Sequence, residues 1–173
     1  VCISGVTHGE RYTVTFRAGL PAESGEELVR DVAVTAYVRD RSPAVAFPGR
    51  AYVLPRTADA GLPIETVNLD AVELTLRRVS DRNLIRAIQN DYFGRPLGRY
   101  DAEYFATNLA EEIWTGTGSV QNELNTDMTT RLPMGAVVGD LPAGIYALTA
   151  AVPDDPDSRA TQWFVLSDIG LTT

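Results

Sequence analysis

The stretch LPAGIYALTAAVPDDPDSRATQWFVLS, residues 141–167, decides the fold. Its first half is a turn, Leu141-Pro142-Ala143-Gly144, feeding a run in which Tyr146, Leu148 and Val152 alternate with Ile145, Ala147 and Thr149. Its second half sets Gln162, Phe164 and Leu166 opposite Trp163 and Val165. Side chains on a strand point to alternate faces, so a period of two marks half-buried strands of an antiparallel sheet. Between the runs, Pro153-Asp154-Asp155-Pro156-Asp157-Ser158 reads as a solvated hairpin loop.

The same alternation recurs outward along the chain. It is present in residues 11–17, where Tyr12, Val14 and Phe16 face one way and Thr13 and Thr15 the other. Residues 32–38 and 71–79 repeat it, and shorter candidates lie at 44–47, 51–54, 64–69, 112–120 and 128–132. Gly and Pro punctuate the runs at Gly19-Leu20-Pro21, Phe47-Pro48-Gly49 and Gly61-Leu62-Pro63. That spacing suits strands joined by turns and argues against βαβ crossovers. Tyr146, early in the strand after a tight turn, resembles the tyrosine corner of immunoglobulin and fibronectin sandwiches. An ordinary strand tyrosine is the other reading. The fold class that follows is all-β, a fibronectin/immunoglobulin-like antiparallel β-sandwich. Its expected core holds Val72, Leu74, Leu76, Tyr146, Leu148, Phe164 and Leu166.

Alternation fails between residues 80 and 111. Ser80 is a candidate N-cap for a helix over 81–90, with Asp81 suited to the positive helix start. Asp101 is a candidate cap for a second helix reaching Ala110, which places Phe105 and Leu109 one turn apart. Residues 91–98, with Gly94, Pro96 and Gly98, read as a loop. The block is expected to be a short helical insertion covering one end of the sandwich.

A boundary falls at Val38-Arg39-Asp40-Arg41-Ser42-Pro43, a strand end followed by charges and a proline. Residues 1–42 hold only two or three strands, too few for a sandwich, since isolated hairpins are marginal in water. Residues 43–173 hold seven or more.

Composition narrows the function classes. The chain has 173 residues, 45% of them apolar, and a net charge of −8. Its fifteen cationic side chains are all arginine and form no cluster. Nucleic-acid binding depends on neutralising phosphates, so such a chain is a poor candidate for it. No apolar run reaches the roughly 18 residues of a membrane helix. The opening VCISGV lacks the charged and apolar regions of a signal peptide. An export signal is therefore expected to have been removed, or the chain to start inside a longer protein. One cysteine, Cys2, allows no internal disulfide; it reads as a small apolar residue or as the partner of a cysteine elsewhere.

No catalytic, cofactor or metal constellation emerges. His8, the only histidine, sits in a turn before a strand, with no nucleophile in pattern beside it. Glu111 and Glu112 are adjacent, so on a strand they face opposite ways and cannot form a glycosidase pair. The residues from Asp154 to Asp157 are acidic but lack the spacing of a calcium loop. Thr115-Gly116-Thr117-Gly118-Ser119-Val120 starts like a dinucleotide loop, yet Gln121 stands where the third glycine belongs. Gly116 and Gly118 share a strand face and would leave room for a bulge or a neighbouring side chain. Trp114 and Trp163 are read as core or inter-module packing; two exposed coplanar rings in a groove would instead favour the alternative reading, a cell-surface adhesion or carbohydrate-binding β-sandwich module.

Taken together, GVTHGERYTVTFRAGLP, YVRDRSPAVAFPGRAYVLPR, LPIETVNLDAVELTLRRVSDRNL, EEIW, DMTTRLP, LPAGIYALTA and ATQWFVLSDIGLTT resemble, in order and spacing, the N-terminal end of bacterial alpha-2-macroglobulins. The resemblance implies strings of macroglobulin-like β-sandwich domains, exported to the periplasm, often lipid-anchored there, and acting as broad-spectrum protease traps. It implies as partners the other such domains of the parent chain, target proteases and a periplasmic peptidoglycan synthase. The family's Cys-Gly-Glu-Gln thioester is absent here, since Cys2 is followed by Ile3-Ser4-Gly5; no bait region is recognisable either. In family terms, residues 1–42 look like the closing strands of one domain. Residues 43–173 look like the next domain, ending at a linker at Ile169-Gly170.

Overall fold

The computed structural model describes residues 4–49, 51–90, 92, 93, 97 and 99–167. The chain divides into two compact units, Val1–Arg41 and Ser42–Thr173.

In the first unit, β1 (Arg11–Phe16) pairs antiparallel with β2 (Val32–Tyr37). The register sets Tyr12 opposite Ala36, Val14 opposite Val34 and Phe16 opposite Val32, so these six share a face. The other face is polar. Thr13 and Thr35 hydroxyls lie 3.3 Å apart, and the Arg11 guanidinium sits 5.4 Å from the centre of the Tyr37 ring. The long connection is tied at its base, where Asp31 accepts from the Ala18 amide and from Arg17.

The second unit is a sandwich. Its smaller sheet runs β3 (Ala44–Ala46), β5 (Gly61–Val67), β8 (Met128–Pro133) in that order, all antiparallel. The larger is formed by β4 (Ala51–Pro55), β10 (Asp155–Ser167), β9 (Gly144–Val152), β6 (Ala71–Val79) and β7 (Ala110–Ser119). One pairing departs from the antiparallel expectation: β4 runs parallel to β10. The two strands come from opposite ends of the unit, so no short hairpin dictates their direction.

The core lies between the sheets. Val72, Leu74, Leu76, Tyr146, Leu148, Phe164 and Leu166 from the large sheet meet Leu62, Ile64 and Leu132 from the small one, and all are buried. Every residue of the expected core is present. Tyr146 and Phe164 stack with ring centres 5.5 Å apart. At the Leu76/Arg77 step the register of β7 slips by one, pairing Leu76 with Trp114 but Arg77 with Glu112. This bulge lets the successive side chains Ile113 and Trp114 both pack on the core.

Two helices fill the gap in alternation, α1 (Asp81–Gln89) and α2 (Arg99–Asn108). Ser80 stands at the N-cap with extended backbone, but its hydroxyl makes no capping bond. Asp101 lies within the first turn of α2, not at its cap. The helix ends two residues before the expected Ala110, which opens β7. Of the expected loop, Tyr92, Phe93 and Leu97 are described; residues 91, 94–96 and 98 lie outside the described residues.

The block covers a face of the large sheet, not an end of the sandwich. Phe105, Leu109, Ala87 and Tyr92 bury Val79, Ala147 and Trp163, which point away from the inter-sheet core. The sheet is thus apolar on both sides there. A single turn, α3 (Gly135–Val138), follows β8 and closes the small sheet. The acidic hairpin is tighter than expected: only Pro153 and Asp154 turn, with Asp154 at φ 63°, and β10 already begins at Asp155.

Candidate functional site

The residues weighed for chemistry are dispersed. His8 is exposed in the first unit and donates from Nδ1 to the Arg39 carbonyl at 2.7 Å. It ties the turn before β1 to the end of β2. Glu111 and Glu112 lie in β7 and face arginines: Arg77 donates to Glu112 at 2.9 Å, and Arg78 is the register partner of Glu111. In the acidic hairpin, Ser158 donates to Asp155 at 2.7 Å. Among the described residues, no group of three His, Cys, Asp or Glu side chains is placed to hold a metal ion. Cys2 and the Ile169-Gly170 linker lie outside the described residues.

The glycines of β7 have a packing explanation. A Cβ on Gly116 would lie 2.4 Å from the Trp114 ring, and one on Gly118 would lie 2.9 Å from a Leu132 methyl. The indole lies over Gly116, filling the space a side chain would take. The two tryptophans form no common platform. Trp114 is half-buried against the inter-sheet core, whereas Trp163 is 2% exposed on the opposite face, between Phe93 and Phe105.

Two surfaces remain. One is the apolar face of the β1–β2 hairpin, where Tyr12, Val14 and Phe16 are half-buried while Val32 and Val34 are 37% and 48% exposed. The other is a cleft of about 400 Å³ between α2 and the outer face of the large sheet. Its floor carries Thr149 and Thr161, whose hydroxyls lie 3.2 Å apart. Sequence reading missed the cleft because its lining comes from α2 and three separate strands. The available signal was faint: at the outward positions of β9 and β10, Thr149 follows the buried Ala147 and Thr161 precedes the buried Trp163.

The profile of the bacterial alpha-2 macroglobulin MG2 domain matches residues 46–156, more than half of the chain. The chain belongs to the bacterial alpha-2-macroglobulin family. The alpha-2-macroglobulin of Escherichia coli (strain K12) is 27% identical over 161 residues, covering 92% of this chain and 10% of the relative. The crystal structure of the native E. coli protein spanning domains MG0-NIE-MG1 superposes with a TM-score of 0.62 at 26% identity, covering 96% of this chain and 53% of that one. A shorter E. coli structure, spanning NIE-MG1, gives a TM-score of 0.60 at 28% identity and covers 75% of this chain and 62% of that one. The chain therefore spans about a tenth of the length of the curated relatives it matches. Those relatives are larger chains of several domains, and this macroglobulin chain corresponds to one stretch of them.

Proposed function

We propose that this chain is a non-catalytic structural module of a periplasmic, protease-trapping alpha-2-macroglobulin. Membership of the family is the observation that carries the reading. Its physical support is a large sheet with buried apolar residues on both faces, with the weighed acids, histidine and tryptophans dispersed. A trap that rearranges around a protease needs stiff modules that move as rigid bodies, and close-packed cores supply that stiffness.

The two-unit division fits the same reading, with residues 1–42 as the closing strands of one macroglobulin-like domain and 43–173 as the next. The shorter E. coli structure leaves about a quarter of this chain unmatched, and adding MG0 recovers most of it. That quarter is close to the share held by Val1–Arg41. The first unit would then be the end of an MG0-like domain.

The test is inhibition of a broad protease panel by the parent protein, by the parent lacking residues 1–173, and by this chain alone. The parent should trap proteases, the deletion should lose that ability, and this chain alone should show none. Dose-dependent inhibition by the chain alone would overturn the module reading.

A further inference from the structure

One side of α1 is used by the fold and the other is not. Leu84 and Ala87 belong to the outer apolar cluster of the large sheet, and Asn83 bonds the end of α2. At 3.6 residues per turn, Arg86, Arg82, Ile85 and Ile88 follow one another around the opposite side. The arginines stand one turn apart and so do the isoleucines, so a cationic stripe runs beside an apolar one. Ile85 is 67% exposed and Ile88 59%. Among the described residues of the second unit, seven large apolar side chains are exposed, and four lie on the helical block: these two, Tyr100 and Tyr104. Covering Val79, Ala147 and Trp163 does not require that outer apolar surface.

The arginines set the sign of a partner. Arg17, Arg77 and Arg78 each have a carboxylate within ion-pair distance. Among the described residues, Arg82 and Arg86 have none, although the chain carries a net charge of −8. With Asn83 and Asn108 they line a notch of about 430 Å³ where α1 meets the end of α2. The Asn83 amide is spent on the Asn108 and Leu109 carbonyls, and that of Asn108 on the Tyr104 carbonyl. The guanidinium groups are therefore the donors this notch offers, and their fork matches a carboxylate through two parallel hydrogen bonds.

The form of the partner follows from the same face. A bilayer is flat and cannot enter the notch, and an anionic one would repel the rest of a −8 chain. An extended peptide gains its affinity by adding to a sheet edge, and a helix offers no such edge. A second helix packs its ridges into the grooves of the first. Its side chains then recur at the one-turn spacing shared by Arg82 and Arg86 and by Ile85 and Ile88.

We propose that the exposed face of α1 docks an acidic amphipathic helix of a protein partner. Its carboxylates pair with Arg82 and Arg86, and its leucine-type side chains lie on Ile85 and Ile88. The proposal goes beyond the protease-trap reading and does not depend on it.

The experiment is a ¹⁵N NMR titration of the full chain with a stapled helical peptide carrying glutamates one turn apart beside leucines one turn apart. The comparators are the same peptide with glutamine in place of glutamate, and phosphatidylglycerol vesicles. The acidic peptide should give saturable shifts at the Arg82, Ile85, Arg86 and Ile88 amides, with a Kd on the order of 100 μM. Salt at about 0.5 M should weaken binding severalfold, since exposed charges are screened. The Arg82→Glu, Arg86→Glu double variant should lose at least about tenfold in affinity, and a peptide with lysine in place of glutamate should bind that variant instead. The Ile85→Ser, Ile88→Ser double variant, changed only at exposed positions, should weaken binding about tenfold. Absence of saturable shifts with the acidic peptide would overturn the proposal. So would equal affinity for the glutamine peptide, tighter binding of the vesicles at these amides, or unchanged affinity in the folded arginine variant.

Discussion

Tyr146 donates its phenolic hydrogen to the carbonyl of Pro142 at 2.6 Å, across the turn that launches β9. The bond spans four residues, so the ring, buried against Phe164, fixes the path of the chain entering the strand. This is the tyrosine corner geometry, and it resolves the two readings of Tyr146 left open by the sequence. Tyr146→Phe keeps the ring but strands the Pro142 acceptor. The expected loss is about 1 kcal/mol, in the usual range for a hydrogen bond, read as a lower urea midpoint at unchanged slope. Burial also raises this phenol above the usual tyrosine range, against the pull of Arg78 and Arg56. A raised folded pKa means its stabilising contribution is complete below the unfolded value near pH ~10 and is lost as pH climbs through the folded value. In an absorbance titration, Tyr146→Phe should remove one late-ionising phenol. Tyr37, raised by its bond to Asp40, should remain.

Leu148 occupies the centre of the large sheet, between β6 and β10, and is fully buried. Leu148→Ala should cost roughly 2 to 5 kcal/mol, the usual range for emptying such a site. Equilibrium denaturation measures it directly. A loss below about 0.5 kcal/mol, the level of ordinary surface substitutions, would place Leu148 on the wrong face of β9.

Gly116 tests the tryptophan packing. A methyl at this position would meet the Trp114 ring at 2.4 Å, so the indole must swing away. Gly116→Ala should destabilise the fold by about 1 to 3 kcal/mol, as overpacking does. Its emission should shift to the red as Trp114 gains solvent. An unchanged spectrum together with unchanged stability would contradict the close contact.

Much of the sandwich was legible because alternation is a direct image of strand geometry. The inward set of β6, β9 and β10 could be read residue by residue. Pairing partners could not: nothing in the segment 51–55 says that it lies parallel to β10. The placement of the helical block was misjudged for a related reason. Phe105 and Leu109 announce a buried helix face but not what receives it. The clue was on the strands, where Ile145 and Ala147 are apolar on the supposedly outer face. Strands apolar on both faces are covered on both. Ser80 has the right residue type for a cap, yet a side-chain bond depends on a rotamer that sequence does not specify. The cleft was invisible for the opposite reason to the core. Thr149, Thr161, Arg77 and Ala106 form no local motif and meet only through register and helix placement.

The last prediction concerns the hairpin of the first unit. Among the described residues, β1 and β2 pair only with each other, so each keeps a free edge. On one face they line up Tyr12, Val14, Phe16, Val32, Val34 and Ala36. Unpaired edges recruit other strands, and a contiguous apolar face seeks cover. If the first unit closes an MG0-like domain, the parent supplies that cover. In the isolated chain, a second copy is the available substitute, and exchange of identical strands gives a symmetric dimer. Sedimentation or light scattering across a concentration series should therefore show self-association. Val34→Glu puts a charge at the centre of the face, opposite Val14, and should return the chain to monomer while leaving the second unit folded. In the parent, the same substitution should lower thermal stability, because the charge would be buried without a partner. A chain that stays monomeric at all concentrations, with Tyr12, Val14 and Phe16 open to solvent, would contradict the argument.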